Sequence, residues 1–297
     1  MSETTLTLQS PSRSGTWPLS VDLALYAYAP TRELIDRAEL TPGIEVGAWL
    51  DDQTRQITSL QILPPFAGPH GFPDSIQQPA PTGETREFGP LTLITRAGWG
   101  AALPHLQAPA EHGLFDPANN PEGWLMYQGS LTNIFNTAVV HHSALPLADG
   151  PQPIQRAHLG LKGYADIGYH FLIDGLGNLY EGRTLRARGA HTGGHNTGTV
   201  GIVLLGNFNV VEPFTRAWQT LQDLIAYLRD VYHLTHVAGH HDFQPEETEC
   251  PGARLRQRLP ALTAELGMKL GTDGYVIPEW IKRDRQSSLE GKEWTAG

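Results

Sequence analysis

The chain has 297 residues, 40% of them hydrophobic, and carries 21 lysines and arginines against 31 aspartates and glutamates. A formal charge of −10 excludes a partner gripped through clustered phosphate contacts, so no nucleic acid is expected. No stretch approaches the ~18 consecutive apolar residues of a spanning helix, so no membrane span is expected; Met1 to Leu8 lack the basic and apolar regions of a secretory signal, which leaves a cytoplasmic protein, phage-type release or a mature exported form as the expectations.

This length exceeds what a single core usually organises, which predicts one large domain with an appendage. Trp17 to Tyr28 and Ile44 to Leu50 are short apolar pieces separated by the turn signals Ala29-Pro30 and Pro42-Gly43, the pattern of a small β-rich region. Pro64 to Pro90 is rich in proline and glycine and reads as a linker or wrapping loop, placing a boundary near residue 90. Asn136 to His142 is a β-branched run that predicts a buried strand ending in a histidine pair. Ile154 to Lys162 is a short helix candidate started by Pro153. Tyr169 to Ile173 and Asn178 to Gly182 flank Asp174-Gly175-Leu176-Gly177 and predict a hairpin. Thr199 to Leu205 predicts another strand, and Thr215 is read as the cap of a helix whose Trp218, Leu221, Leu224, Ile225 and Leu228 recur at helical spacing. A strand at Thr235 to Ala238 delivers a second histidine pair, and Ala253 to Leu266 predicts a helix kinked at Pro260. Strands alternating with helices predict an α/β fold, a central mixed β-sheet flanked by helices, with the smaller β-rich region in front of it. The expected division is 1–90 for the N-terminal region and linker, 91–270 for the main domain and 271–297 for an extension carrying Trp280 and Trp294.

The chemistry-bearing residues cluster late. Cys250 is the only cysteine, so it forms no internal disulfide, and it stands ten residues after His240. A free cysteine is commonly a small buried hydrophobe, but Glu249-Cys250-Pro251-Gly252 is a polar, turn-like setting that fits that role poorly. Beside the pairs His141-His142 and His240-His241, a thiolate completes a three-ligand zinc site with its fourth position open, as in hydrolases. A closed structural site would instead recruit a fourth ligand such as Asp242 or Glu249. Alternation along a strand predicts that each pair supplies one ligand and one neighbour facing the other way, and spacing does not choose between them. The helical His-Glu-x-x-His motif is absent from the sequence.

Seven blocks, in order over residues 92 to 268, resemble one family. They are Ile94-Thr95-Arg96-Ala97-Gly98-Trp99-Gly100-Ala101, Val139-Val140-His141-His142-Ser143, Asp166-Ile167-Gly168-Tyr169-His170-Phe171, Gly182-Arg183, Gly189-Ala190-His191, Val200-Gly201-Ile202, and Gly239-His240 through Cys250-Pro251-Gly252. The chain is similar here to the zinc-dependent N-acetylmuramoyl-L-alanine amidases of the peptidoglycan-recognition-protein and phage-lysozyme type, amidase type 2. That resemblance implies one zinc ion on His141, His240 and Cys250, a catalytic tyrosine at Tyr169, and a second catalytic position at Thr248. It places His191 and Asn196 along the substrate groove. His142 and His241 are candidates for the groove or for supporting a ligand, Asp166 is a candidate partner for such a support, and His170 is expected to face the core. The implied reaction is hydrolysis of the amide between N-acetylmuramic acid and the L-alanine of the stem peptide, with peptidoglycan as partner. The alternative within the family is a non-catalytic module that binds muropeptide, in which the cysteine is typically replaced. A third reading, an interaction protein with structural zinc, predicts that chelation unfolds the domain.

Overall fold

Strand patterning organises the chain into two separate sheets. The computed structural model describes residues 5–9, 14–26, 46–50, 56–62, 78–105, 108, 126–127, 129–145, 150–160, 162–273 and 275. Within them, β1 (Thr5–Gln9), β2 (Ser14–Tyr26), β3 (Val46–Leu50) and β4 (Ile57–Ile62) form a four-stranded sheet in the order β1-β2-β4-β3. This is the small β-rich region expected from the apolar pieces; its turn signals at Ala29-Pro30 and Pro42-Gly43 lie outside the described residues.

The larger sheet contains β5 (Thr85–Phe88), β6 (Leu91–Ile94), β7 (Thr137–His142), β8 (Phe171–Ile173), β9 (Leu179–Glu181), β10 (Thr199–Leu204), β11 (His236–Gly239) and β12 (Lys269–Leu270). Their order is β12-β11-β7-β10-β8-β9-β6-β5. The β12-β11-β7-β10-β8 side is parallel, while the β8-β9 and β5-β6 hairpins are antiparallel, so the sheet is mixed as expected. Central β7 and β10 are buried at every position, which is why both read as continuous apolar runs rather than alternating ones. The hairpin forms where predicted: Asp174 Oδ1 accepts the N–H groups of Leu176 and Asn178, and Gly177 adopts φ +85° against the start of the next helix.

Three expectations need correction. The stretch read as a linker up to Pro90 contains β5, which pairs Thr85 with Ile94 through Phe88 with Leu91; a boundary at 90 would cut that hairpin. Its side chains are mostly exposed, so the hydrophobic pattern carried no strand signal there. Thr215 begins α3 (Thr215–Tyr232) rather than capping it; the cap is Phe214, with no side-chain capping bond. The final helix is broken, not kinked: α5 (Ala253–Arg256) stops, and α6 (Leu259–Leu266) restarts with Pro260 in its first turn, where the missing N–H is harmless. Trp280 and Trp294 lie outside the described residues.

Helices cover the two faces of the larger sheet unequally. Leu221, Leu224, Ile225 and Leu228 of α3 are fully buried against Val140, Phe171, Ile173, Ile202 and Leu204, with Trp218 half-buried at the margin. The other face carries the smaller cluster Leu145, Ile154, Ile167, Leu172, Val203 and Leu205 beneath α2 (Gln152–Gly160). Period-two alternation sends Ile202 and Leu204 to α3 and Val203 to α2. In the parallel register Val203 is opposite His141 and Leu204 opposite His142. The first histidine therefore emerges on the thinly covered face.

Candidate metal centre and groove

His141, at the C-terminal end of β7, has no solvent exposure, and its Nδ1 lies 3.5 Å from Cys250 Sγ. His240 opens the single-turn helix α4 (His240–Phe243) directly after β11, with its ring centroid 4.8 Å from that of His141. One donor atom from each of His141, His240 and Cys250 lies within 4.8 Å of the other two. Two ligands of a tetrahedral zinc ion, at roughly 2.0–2.1 Å for nitrogen and 2.3 Å for sulfur, stand about 3.6 Å apart, close to the His141–Cys250 spacing. Members of this donor set are distant in sequence, and the sheet brings them together.

The remaining ring nitrogens support the same assignment. His240 Nε2–H donates to Gln244 Oε1 at 2.6 Å, while the Gln244 amide N–H₂ donates to Glu247 at 3.0 Å, leaving His240 Nδ1 a bare lone pair. His141 Nε2 is 3.0 Å from His191 Nδ1. With His141 Nε2–H as donor, His141 Nδ1 is likewise free to ligate; fixing a tautomer in this way is the usual role of an outer partner. Gly189 and Gly201 make room for His191, because a Cβ at either would collide with its ring. Burial is the main cause holding the pKa values of His141 and His191 well below the ordinary imidazole value, and the surrounding histidines add to it. Burial also lowers His240. Burial thus favours the neutral form of all three rings, the form a metal needs.

Around the cluster lies a groove of about 790 Å³, lined by Tyr169, His158, His191, Gln244 and Thr248 among others. The Tyr169 ring sits 5.0 Å from His141 and 5.4 Å from His158, centroid to centroid. Tyr169 lies on the segment leading into β8, two residues before the strand begins, rather than within it. Thr248 Oγ1 accepts the Cys250 N–H at 3.1 Å, and Thr248 C=O accepts the His241 Nδ1–H at 2.7 Å, so this loop is tied to its own cysteine.

The structure separates the other expected residues. His142 faces away from His141, as strand alternation predicts; it lines the groove while only 3% exposed, and its Nδ1 accepts the Phe208 N–H. His241 does not alternate with His240, because both sit on a helical turn rather than a strand end. Asn196 is not among the groove-lining residues; its Oδ1 accepts the N–H groups of His191 and Thr192, which shapes the loop holding His191. Asp166 supports no histidine. Fully buried, it pairs with Arg96 at 2.8 Å and accepts from Gln155 and the Ile167 N–H, while burial raises its pKa against the opposing pull of Arg96. His170 is buried as expected, with Nδ1 accepting from Gly201 and Nε2 beside the Ala187 carbonyl.

Two groove residues went unread in the sequence. Gln244 follows His240 by four, a helical spacing that signals a side-chain pair. His158 follows Gln155 by three on α2; its Nδ1 accepts the Gly168 N–H, which leaves its proton on Nε2, and burial pushes its pKa down to about 3.

The chain is similar to several known proteins. The sequence model of amidase type 2, described as N-acetylmuramoyl-L-alanine amidase, matches residues 132–253. Peptidoglycan-recognition protein SC2 of Drosophila melanogaster is 37% identical over 137 residues, covering 42% of this chain and 73% of the relative. Peptidoglycan-recognition protein LB of the same fly is 32% identical over 181 residues, and the alignment spans 55% of this chain and 65% of that protein's length. Among solved structures, the N-acetylmuramoyl-L-alanine amidase LysC from Clostridium intestinale shares 33% identity over 49% of this chain and 93% of its own, with a TM-score of 0.42.

Proposed function

Because the chain belongs to the family of amidase type 2 and the peptidoglycan-recognition proteins, we propose that it is a zinc-dependent N-acetylmuramoyl-L-alanine amidase acting on peptidoglycan. The observation that carries this reading is the convergence of His141, His240 and Cys250 with both outer imidazole nitrogens engaged by protein groups. Non-catalytic members typically replace the cysteine, and Cys250 is retained.

His141, His240 and Cys250 would hold the ion; when bound, zinc supplies Lewis-acid activation of water and of an amide carbonyl. Gln244 and His191 fix the two ligand tautomers by accepting the protons on Nε2. Tyr169, beside His141, donates its O–H to the carbonyl oxygen of the scissile amide as negative charge develops there. Thr248 holds the Cys250 loop by accepting its N–H and lines the groove. His158 offers a neutral Nε2–H donor from the α2 wall, suited to a carbonyl or hydroxyl of the substrate.

The test is incubation of purified sacculi with the wild type, with Cys250→Ser and with a chelated sample, reading the appearance of stem peptides with a new N-terminal alanine. Release by the wild type alone is the expected result. Sacculus binding without release by the wild type would replace hydrolysis by recognition. Unfolding on chelation would instead make the metal structural.

A further inference from the structure

Five residues beyond β12, which ends at Leu270, Tyr275 contacts two other segments of the chain. Its hydroxyl donates to the Thr197 carbonyl at 2.6 Å, and its ring meets Phe243 edge-on at 5.2 Å and 86°. His195 completes the set, 5.0 Å from Phe243 and 5.7 Å from Tyr275, centroid to centroid. Edge-to-face contacts at such distances are favourable and directional, so three rings and one hydrogen bond hold three segments in fixed relation.

Two of those segments bear the groups that orient the zinc ligands. Thr197 and His195 belong to the loop after His191, the acceptor for His141 Nε2–H, and Asn196 in that loop shapes the His191 backbone. Phe243 ends α4, between His240 and its acceptor Gln244. Gly193 of the same loop lies alongside the Gln244 amide, where a Cβ would stand 3.5 Å from Nε2. A shift of this loop against α4 therefore moves both outer supports at once.

We propose that Tyr275 of the C-terminal extension is a positioning residue for the metal centre, clasping the His191 loop to α4 so that His191 and Gln244 hold both ligand histidines in register. This rests on the reading of His141, His240 and Cys250 as the zinc site. The extension, whose role the sequence left open, then completes a site built from distant strands.

The full-length wild type, Tyr275→Ala and Tyr275→Phe are compared for zinc affinity by competition with a chromophoric chelator, alongside thermal unfolding of the metal-free proteins. Loss of an outer support costs 10- to 100-fold in metal affinity, and Tyr275 acts one contact further out, so Tyr275→Ala is expected to weaken zinc by about 10-fold. Tyr275→Phe keeps the ring and loses one neutral hydrogen bond, for a weakening of about threefold. On sacculi the loss should fall on kcat with KM held within about twofold, since the residue acts through the metal ligands. A merely structural tyrosine would lower the melting temperature of the metal-free protein and leave zinc affinity unchanged. Zinc affinities within about twofold of wild type in both variants overturn the clasp. Should Tyr275→Ala not fold, the Phe variant decides alone. A wild type that itself holds no zinc overturns the functional reading instead.

Discussion

The two faces of the larger sheet are made by the same strands and do opposite work. On the α3 face, Val140, Ile202 and Leu204 meet fully buried aliphatic residues of an 18-residue helix, with Phe208 alongside. One residue along each strand, His141 and Val203 point to a face covered by the 9-residue α2, where the groove and its histidines lie. Stability is concentrated where coverage is complete, and chemistry where it is thin.

That division is breakable from either side, and the largest effect is expected on the packed face. Leu224→Ala removes a fully buried side chain from α3 and should cost about 4 kcal/mol of stability, given the usual range for such cavities. Activity per folded molecule should stay at the wild-type level, checked by denaturant unfolding with assays normalised to folded protein. Loss of specific activity would show that the faces are coupled. Tyr169→Phe tests the groove face and should reduce kcat by ~100-fold, about 3 kcal/mol of transition-state stabilisation. Stem-peptide release as fast as wild type would remove the phenol from the reaction.

A smaller effect tests the supports between the faces. Gln244→Ala deletes the acceptor of His240 Nε2–H and should weaken zinc by about 10- to 100-fold, measured by chelator competition. Gln244→Glu, retaining an acceptor at the same reach, should restore most of that affinity. If both variants bind alike, the tautomer of His240 is held by something else.

How much of this was readable follows from the kind of signal each part emits. The buried strands β7 and β10 and the core face of α3 were legible because burial on one or both sides leaves a long apolar pattern. β5 was not, since an edge strand with exposed side chains looks like loop. The convergence of His141, His240 and Cys250 was legible through residue type and the family's block order. Asn196 and Asp166 show that residues recurring in such blocks also build scaffold: Asn196 caps the His191 loop, and Asp166 pairs with Arg96. Tyr275 was illegible, because its partners Thr197, His195 and Phe243 are far away in sequence and its own segment has no period.

The smallest effect concerns buried histidines outside the candidate metal cluster. Burial is the main cause pushing His158 down to about 3 and His170 down to about 4, so both are neutral in the fold. In the unfolded chain an imidazole titrates near 6.5, so between that pH and the folded value the unfolded state binds more protons. Their contribution is complete above about pH 6.5 and is lost as the pH falls, at up to about 1.4 kcal/mol per pH unit for each group. The window runs down to about 4 for His170 and about 3 for His158. His158→Asn separates one group from the rest, because the Asn side-chain oxygen can accept the Gly168 N–H as His158 Nδ1 does and cannot be protonated in this range. Denaturant unfolding of metal-free protein at pH 7, 6 and 5 should then show the variant losing stability more slowly than wild type, by about 1.4 kcal/mol per pH unit below 6. Parallel curves would mean that His158 takes up a proton in the folded groove, and the α2 wall would then present a cation to the substrate rather than a neutral donor.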